Sequence, residues 1–373
     1  MQEAVFMGNY RVCVYAIAKN EEQFVRRWVT SMREADEIYV LDTGSTDQTV
    51  ELLTGLGVHV TKEEIHPWRF DTARNRSLAL VPEDCDICVC TDLDEFFTPG
   101  WREQIERAWQ AGATRVRYRY VWNYLPDGRE GTVFWPDKIH ARHGYEWRNP
   151  VHEILIRTNA TREVVATAQN VTLEHHADPS KSRGQYLPLL ELSVQENPHD
   201  DRNVHYLGRE YMFHGRYEDC IRMLQYHLTM PESRWDAERC ASMRFIARSY
   251  TALGNRQEAK RWLLRAVAEA PYLREPYVEL ASQLYLDENW AALAATCEAA
   301  LSIRERPQIY INEPMAWGEL PYDLASIAWY HLGQYDSALY RGEAALLLAP
   351  DDERIRKNVE IFRALADKKD STI

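Results

Sequence analysis

No apolar run in the 373-residue sequence approaches the ~20 residues that a membrane-spanning helix requires. The opening stretch, MQEAVFMGNYRV, lacks both the charged n-region and the apolar h-region of a signal peptide. A cytoplasmic chain with no membrane partner is therefore expected. Basic charge is in deficit: 44 Lys and Arg against 57 Asp and Glu leave a net charge of −13. A duplex-DNA binder wants a basic face, so nucleic acid is not an expected partner. Cysteine is sparse, and seven, an odd number in a long chain, do not make a disulfide framework. Apolar residues are not lacking. A composition of 45% hydrophobic and 27% charged residues is globular and excludes disorder for most of the chain. At ~150 residues per domain, the length suits two or three domains with sizeable cores.

Two textures divide the chain. From about Arg11 to about Ile156, strand-length apolar runs alternate with helical stretches. From about Arg183 onward nearly everything reads as helix. We place the domains at 1–180 and 181–373. Arg11–Ala18 (RVCVYAIA) is almost continuously apolar, as a parallel strand buried on both faces is. Asn20 is suited to cap the next helix, with Gln23 at capping-box spacing. Glu37–Leu41 is a second strand ending at Asp42. The turn Asp42–Asp47 (DTGSTD) leads into a helix over Gln48–Leu56, and Val58–Lys62 is a third strand. Asp71 or Thr72 can cap a helix running to Leu80, and Ile87–Thr91 is a fourth strand that stops at Asp92-Leu93-Asp94. Strand–helix–strand alternation predicts a mostly parallel sheet with helices on both faces, an α/β domain. Arg115–Trp122, Thr132–Phe134 and Ile154–Arg157 are further strands, some antiparallel.

The second half repeats itself. Segments beginning at Gly215, Gly254, Glu288 and Gly333 align, with steps of 39, 34 and 45 residues. At a fixed distance after each stand His227, Ala266, Ala300 and Ala345, and Pro271, Pro307 and Pro350 close three units. A ~34-residue unit with a turn glycine, small residues where helices approach and a terminal proline resembles the tetratricopeptide repeat. The long step implies an insertion around Pro307–Gly318. Such arrays stack helix hairpins into a superhelix with a concave face, suited to binding an acceptor or to forming a homodimer.

The chemistry lies in the first half. Asp42, Asp92 and Asp94 sit where strands end, and the ligand crevice of an open α/β sheet lies at those carboxyl ends. An isolated D-x-D is an ordinary turn. Just past an apolar strand, with Asp42 upstream, it offers the oxygen ligands that Mg²⁺ or Mn²⁺ take alongside substrate phosphates.

Ala16–Glu21 (AIAKNE), Val40–Asp47 (VLDTGSTD), Phe70–Asn75 (FDTARN) and Cys90–Glu95 (CTDLDE) together resemble the family 2 glycosyltransferases of the GT-A fold. Val151–Glu153 (VHE) and Leu173–His175 (LEH) resemble later motifs of a subgroup in which a tetratricopeptide-like tail follows, as in the sublancin-type peptide S-glycosyltransferases. The resemblance covers essentially the whole chain. It implies a Rossmann-like GT-A domain followed by an all-α repeat domain. It implies an inverting, metal-dependent hexosyl-type transfer from a nucleotide sugar, usually UDP-linked, to a peptide, glycan or other acceptor. It places the donor against Ala18, Asn20, Glu21, Asp42, Thr43, Arg74, Asp92 and Leu93, and the metal on Asp94, Asp92 and His175. Many relatives carry two consecutive acidic residues where this chain has Asp42-Thr43, which leaves the base contact open.

Physical chemistry fits that assignment. A sugar–diphosphate bond breaks through an oxocarbenium-like state while negative charge grows on the leaving group. A divalent cation neutralises that charge as a Lewis acid. The acceptor loses a proton as it attacks, and Glu153 is the candidate base, with His152 as base or orienting residue. Arg74 either touches the diphosphate or fixes the crevice through a salt bridge to Asp71 or Asp92. His175 is a metal ligand or a satisfied structural histidine. Cys85-x-x-Cys88-x-Cys90 invites a metal or redox reading, but Cys88 and Cys90 lie on a buried strand and no second pair supplies zinc ligands, so they read as core. Aromatics between Tyr118 and Trp147 are suited to face sugar rings. A nucleotidyltransferase would show a glycine-rich loop where Lys19-Asn20-Glu21 stand, and a non-catalytic scaffold would not need three crevice aspartates.

Overall fold

The computed structural model describes residues 10–110, 112–178 and 184–370. The chain forms two compact units, one comprising 1–193 with 308–310, the other 194–307 with 311–373. Among the described residues, no helix is long and apolar enough to cross a membrane.

The first unit begins with β1 (Val12–Ala18), α1 (Glu22–Ser31), β2 (Glu37–Asp42), α2 (Thr49–Gly55), β3 (His59–Lys62), α3 (Phe70–Ala79) and β4 (Ile87–Cys90). It continues through β5 (Glu95–Phe97), α4 (Trp101–Trp109), β6 (Arg115–Val121), β7 (Val133–Phe134) and β8 (Ile139–Ala141). Then come β9 (Tyr145–Arg148), β10 (Ile154–Arg157), β11 (Val165–His175) and α5 (Tyr186–Glu196). The main sheet has the order β3-β2-β1-β4-β8-β6-β11-β5, with β7 on β6, and β9 and β10 form a separate ribbon. The expected parallel pairing holds from β3 to β4. Beyond it the sheet is mixed: β8 runs antiparallel to both β4 and β6, whereas β6 and β11 are parallel.

Alternation along β1 divides the core. Val12, Val14 and Ala16 pack with Ile87, Val89, Trp28, Trp101 and Ile105 on the α1–α4 side. Cys13 and Tyr15 point the other way, with Cys88, Cys90, Leu78 and Trp147. All seven cysteines are free and buried, so the C-x-x-C-x-C stretch is core, as read from the sequence.

Two expected caps are corrected. Asn20 does not cap α1; it adopts φ +56°, the cap position falls to Glu21, and the Asn20 Oδ1 accepts from the Thr46 amide at 2.8 Å. The α1 entrance is closed by Asp47, whose Oδ2 takes the Glu22 amide at 3.2 Å. Asp71 lies inside the first turn of α3 and grips Arg69 through both oxygens, at 2.9 and 2.8 Å. In both cases a partner distant in the fold or outside the helix outcompetes the local capping bond.

The second unit consists of α6 (Asp201–Phe213), α7 (Tyr217–Thr229), α8 (Asp236–Ala252), α9 (Arg256–Glu269), α10 (Glu275–Leu286) and α11 (Trp290–Ser302). After a 3₁₀ turn at Pro314–Ala316 follow α12 (Leu320–His331), α13 (Tyr335–Leu348) and α14 (Glu353–Asp370). The pairs α6/α7, α8/α9, α10/α11 and α12/α13 are helix hairpins whose turns fall on Gly215, Gly254, Glu288 and Gly333 with φ of +71°, +79°, +54° and +70°. Ala266, Ala300 and Ala345 are fully buried where helices meet. The insertion is pinned by a part-buried ion network: Glu313 accepts from Arg244 at 2.5 Å and from Arg248 at 2.6 Å, and the buried Arg244 also donates to Glu279.

Candidate functional site

The candidate acidic residues Glu21, Asp42, Asp92 and Asp94 lie at or just past the carboxyl ends of β1, β2 and β4. At the β1–β2 end the chain makes a tight polar turn. Asp42 accepts the Gly44 and Ser45 amides through Oδ1 at 3.2 and 3.1 Å, and the Ser45 hydroxyl through Oδ2. Thr43 donates to the Ala18 carbonyl from both its amide, at 2.9 Å, and its hydroxyl, at 3.1 Å. The Asn20 amide reaches Ser45 Oγ at 2.9 Å and the Glu21 amide reaches Thr49 Oγ1 at 2.7 Å. Ala18, Asn20, Glu21, Asp42 and Thr43 are thus gathered into one place, with Gly44 at φ +107° turning the chain.

Past β4, Asp92 is bound by two cations. Arg74 Nη2 donates to its Oδ1 at 2.8 Å, and Lys138 Nζ lies 4.0 Å from Oδ2. Burial pushes the Asp92 carboxyl up, but Arg74 and Lys138 outweigh it and hold the group well below the usual carboxylate range. Burial likewise opposes the charge on Lys138, and Glu95 and Asp92 more than restore it, raising its pKa. Leu93 is buried in the core and anchors the segment, and Ala18 is buried in the same core.

Asp94 meets His175, the last residue of β11. The antiparallel pairing of β11 with β5 sets His175 opposite Glu95, and His175 Nε2 lies 3.5 Å from Asp94 Oδ2. His175 Nδ1 lies 2.9 Å from the Trp122 carbonyl oxygen, which can only accept, so Nδ1 carries the proton. Burial disfavours the charged ring, but the Asp94 carboxylate raises its pKa overall. A ring nitrogen fixed by a proton on its far side, facing a carboxylate oxygen, is a fitting donor pair for a divalent cation of the Mn²⁺ class.

Arg74, on α3, reaches three groups from a buried position: Asp92, Glu153 Oε1 at 2.6 Å through Nε, and Cys90 Sγ at 3.4 Å. The salt bridge anticipated for Arg74 therefore goes to Asp92, while Asp71 takes Arg69 instead. Around it the F-D-T-A-R-N segment fastens the site. The Phe70 amide takes the Pro150 carbonyl at 2.9 Å, and Asn75 exchanges two 2.8 Å bonds with the Trp147 backbone. The loop that presents Glu153 holds Asn149 at φ +83° and His152 at φ +50°, left-handed conformations that L side chains adopt at a cost. The His152 ring lies against Tyr186, with centroids 5.7 Å apart. The structure brings Arg74, Asp92 and Glu153 into direct contact, and Asp94 with His175.

Sequence reasoning missed three residues. Glu95 is buried, accepts from the Asp92 amide at 2.9 Å and from Tyr120 Oη at 2.7 Å, and burial raises its pKa. It stands at the end of the quoted CTDLDE motif and was legible there. Lys138 carries no local signal. Trp122 stacks on His175 at 4.4 Å between centroids and remains 47% exposed; only the aromatic richness of its region pointed to it.

Residues 13–165 match the profile of Glycosyl transferase family 2. A TPR repeat-containing protein of Synechococcus elongatus is 25% identical over 155 residues, 40% of this chain; the match spans only 36% of that relative. Among solved structures, Pseudomonas aeruginosa PilF superimposes with a TM-score of 0.37 at 12% identity, over 48% of this chain and 72% of its own. A thermophilic TPR protein of Thermus thermophilus gives 0.34 at 17% identity, over 48% and 89%.

Proposed function

We propose that the family 2 glycosyltransferase domain at residues 13–165, followed in this chain by a tetratricopeptide-like helical domain, transfers a sugar from a UDP-linked donor to a peptide or glycan nucleophile with inversion at the anomeric carbon. The match of residues 13–165 to Glycosyl transferase family 2 supports glycosyl transfer in general; donor, stereochemistry, metal and acceptor go beyond that support. One observation carries it: Asp94 and His175, from separate strand ends, present a carboxylate and an imidazole nitrogen 3.5 Å apart beside a buried strand.

In this reading the turn built on Asn20, Asp42 and Thr43 receives the base and ribose. Asp94 and His175 would hold the cation, with Asp92 beside them, and when bound it would supply positive charge against the leaving diphosphate. Arg74 and Lys138 keep the acidic cluster compensated, so that an anionic donor can approach carboxylates without net repulsion. Arg74 engages Oε1 of Glu153 and leaves Oε2 to take the acceptor proton during attack from the face opposite the diphosphate. Trp122 offers a flat apolar ring beside the metal residues, against which a sugar face can lie.

A screen of nucleotide sugars with Mn²⁺, reading released nucleoside diphosphate, tests the proposal. UDP release should depend on the metal and fall about 10³-fold in Asp94→Ala, the scale on which loss of a transition-state charge stabiliser is felt. Metal-independent turnover, or unchanged turnover in that variant, sinks the metal assignment. Release of pyrophosphate instead of UDP would identify a nucleotidyl transfer.

A further inference from the structure

We propose that His205, His227 and Glu238 form a binding site for a zinc-class divalent cation inside the helical unit, separate from Asp94 and His175. A ring nitrogen of each histidine and a carboxylate oxygen of Glu238 lie within 4.8 Å of one another, and all three residues are buried. They come from three successive helices, α6, α7 and α8. The sequence already marks one of them as exceptional. Three repeat units place alanine at the buried contact position, at Ala266, Ala300 and Ala345; the first unit places His227 there, equally buried. A close-packing position has been given over to an imidazole.

The hydrogen bonds orient both rings. Ser242 Oγ lies 2.7 Å from His205 Nδ1 and 3.0 Å from His227 Nδ1. A hydroxyl oxygen has two lone pairs and can accept both N–H groups. Each Nε2 then carries a lone pair. That of His227 faces Glu238 Oε1 at 3.5 Å and Ser233 Oγ at 3.0 Å. Among the described residues, that of His205 has no hydrogen-bond partner, although the ring is fully buried. Reversing the protons along Ser242 does not help His205, because its Nε2 then carries an N–H with no acceptor. A polar nitrogen left in this state is costly, and a metal ion would satisfy it. Two imidazoles and one carboxylate are a recurrent donor set for Zn²⁺, and Ser242 supplies the outer-shell bonds that such histidines make through their other nitrogen. Ser233, beside His227, or a water completes four-coordination. The ion would clamp the first repeat hairpin to α8.

The test uses the full chain carrying Asp94→Ala and His175→Ala, so that the crevice of the first unit contributes no metal. After chelation, Zn²⁺ is added back, excess is removed by desalting, and bound metal and melting temperature are measured. The expected result is about one zinc per chain and a melting temperature several degrees above the chelated protein, as metal coupled to folding produces. Glu238→Gln conserves volume and should weaken zinc at least about tenfold; His205→Gln should do the same. Co²⁺ in place of Zn²⁺ should give the intense visible absorption of a four-coordinate nitrogen–oxygen site. Absence of both bound zinc and a melting shift in the double-substituted chain overturns the proposal, as does undiminished zinc in both the Glu238→Gln and His205→Gln chains.

Discussion

Arg74 shows how much one side chain can decide. Its guanidinium is buried, donates to Asp92 and Glu153 through different nitrogens, and lies over Trp147 at 5.4 Å. A planar fork can span two carboxylates on diverging directions; a lysine ammonium on a flexible stem cannot hold both at fixed angles. Arg74→Lys should therefore leave the protein folded yet lower kcat/KM for UDP-sugar turnover by about 10²-fold, the usual cost of misplacing reacting groups by an ångström. Unchanged kcat/KM would show that Glu153 is not positioned through Arg74. Lys138 acts more gently. It sits 3.7 Å from Glu95 and 4.0 Å from Asp92. Lys138→Met removes one of the two charges compensating the cluster, so donor KM should rise about tenfold with a smaller change in kcat, because charge complementarity acts first on binding an anion. These two residues also differ in legibility. Arg74 stands in a motif that the sequence displays, whereas Lys138 reaches Asp92 only because β8 pairs antiparallel with β4, a long-range pairing that no local periodicity reports.

Elements formed by local rules were the readable ones. Helix hairpins of the second unit turn on the aligned positions because a left-handed residue must follow each first helix, and Gly215, Gly254 and Gly333 adopt that conformation without a Cβ penalty. Glu288 holds the same place at φ +54°. Glu288→Gly should therefore stabilise the helical unit by about 0.5–1 kcal/mol, the left-handed penalty less the entropy glycine loses on folding. A denaturation midpoint that falls would show that the Glu288 side chain makes up for its backbone. The neighbouring Asn289 caps α11 by accepting the Ala292 amide, and Asn289→Ala should cost about 1 kcal/mol in the same measurement. At the entrances of α1 and α3 the sequence has the right residue types for caps, but Asn20 bonds Thr46 and Asp71 bonds Arg69. At α1 the outcome is settled by a turn that meets Asn20 only once β1 and β2 have paired, whereas at α3 the neighbouring Arg69 takes Asp71. For the same reason β5 and the reach of β11 escaped the pattern: a three-residue strand and an eleven-residue strand with a bulge have no clean alternation. Their pairing is what delivers His175 to Asp94.

At the scale of the whole molecule, stability against acid should expose a histidine that the chemistry does not use. His140 lies at the heart of the first unit, where Trp147 Nε1 donates to Tyr15 Oη at 2.8 Å and Tyr15 Oη lies 2.7 Å from His140 Nε2. The opposite nitrogen, Nδ1, faces the Ala141 carbonyl at 2.8 Å. That carbonyl can only accept, so Nδ1 holds the single proton of a neutral ring and Nε2 accepts from Tyr15. Burial lowers the His140 pKa to about 3. The ordinary value of the unfolded chain is about 6.5, so between these limits the unfolded state binds a proton that the native state refuses. Stability is fully present above about 6.5 and is lost as the pH falls, by about 1.4 kcal/mol per pH unit for this one group. His205, whose pKa burial also lowers to about 3, lies in the second unit, so the opening of the first unit is the quantity to follow; the other shifted groups there are quiet over most of that range. His175, raised by Asp94, is already protonated in both states there, and Asp36 and Asp92, lowered by Arg102 and by Arg74 with Lys138, lose their contributions only below the ordinary carboxylate value near 4. Glu95, whose pKa burial raises, takes up its proton first in the native state and so opposes the loss at the acid end. Native-state amide exchange along β1, β4 and β8, followed from pH 6.5 to 4.5, should therefore show the free energy of opening of the first unit falling with close to the slope of one proton. His140→Gln should flatten that slope even though it lowers stability at neutral pH; an unaltered slope in the variant would mean that another buried base carries the acid sensitivity.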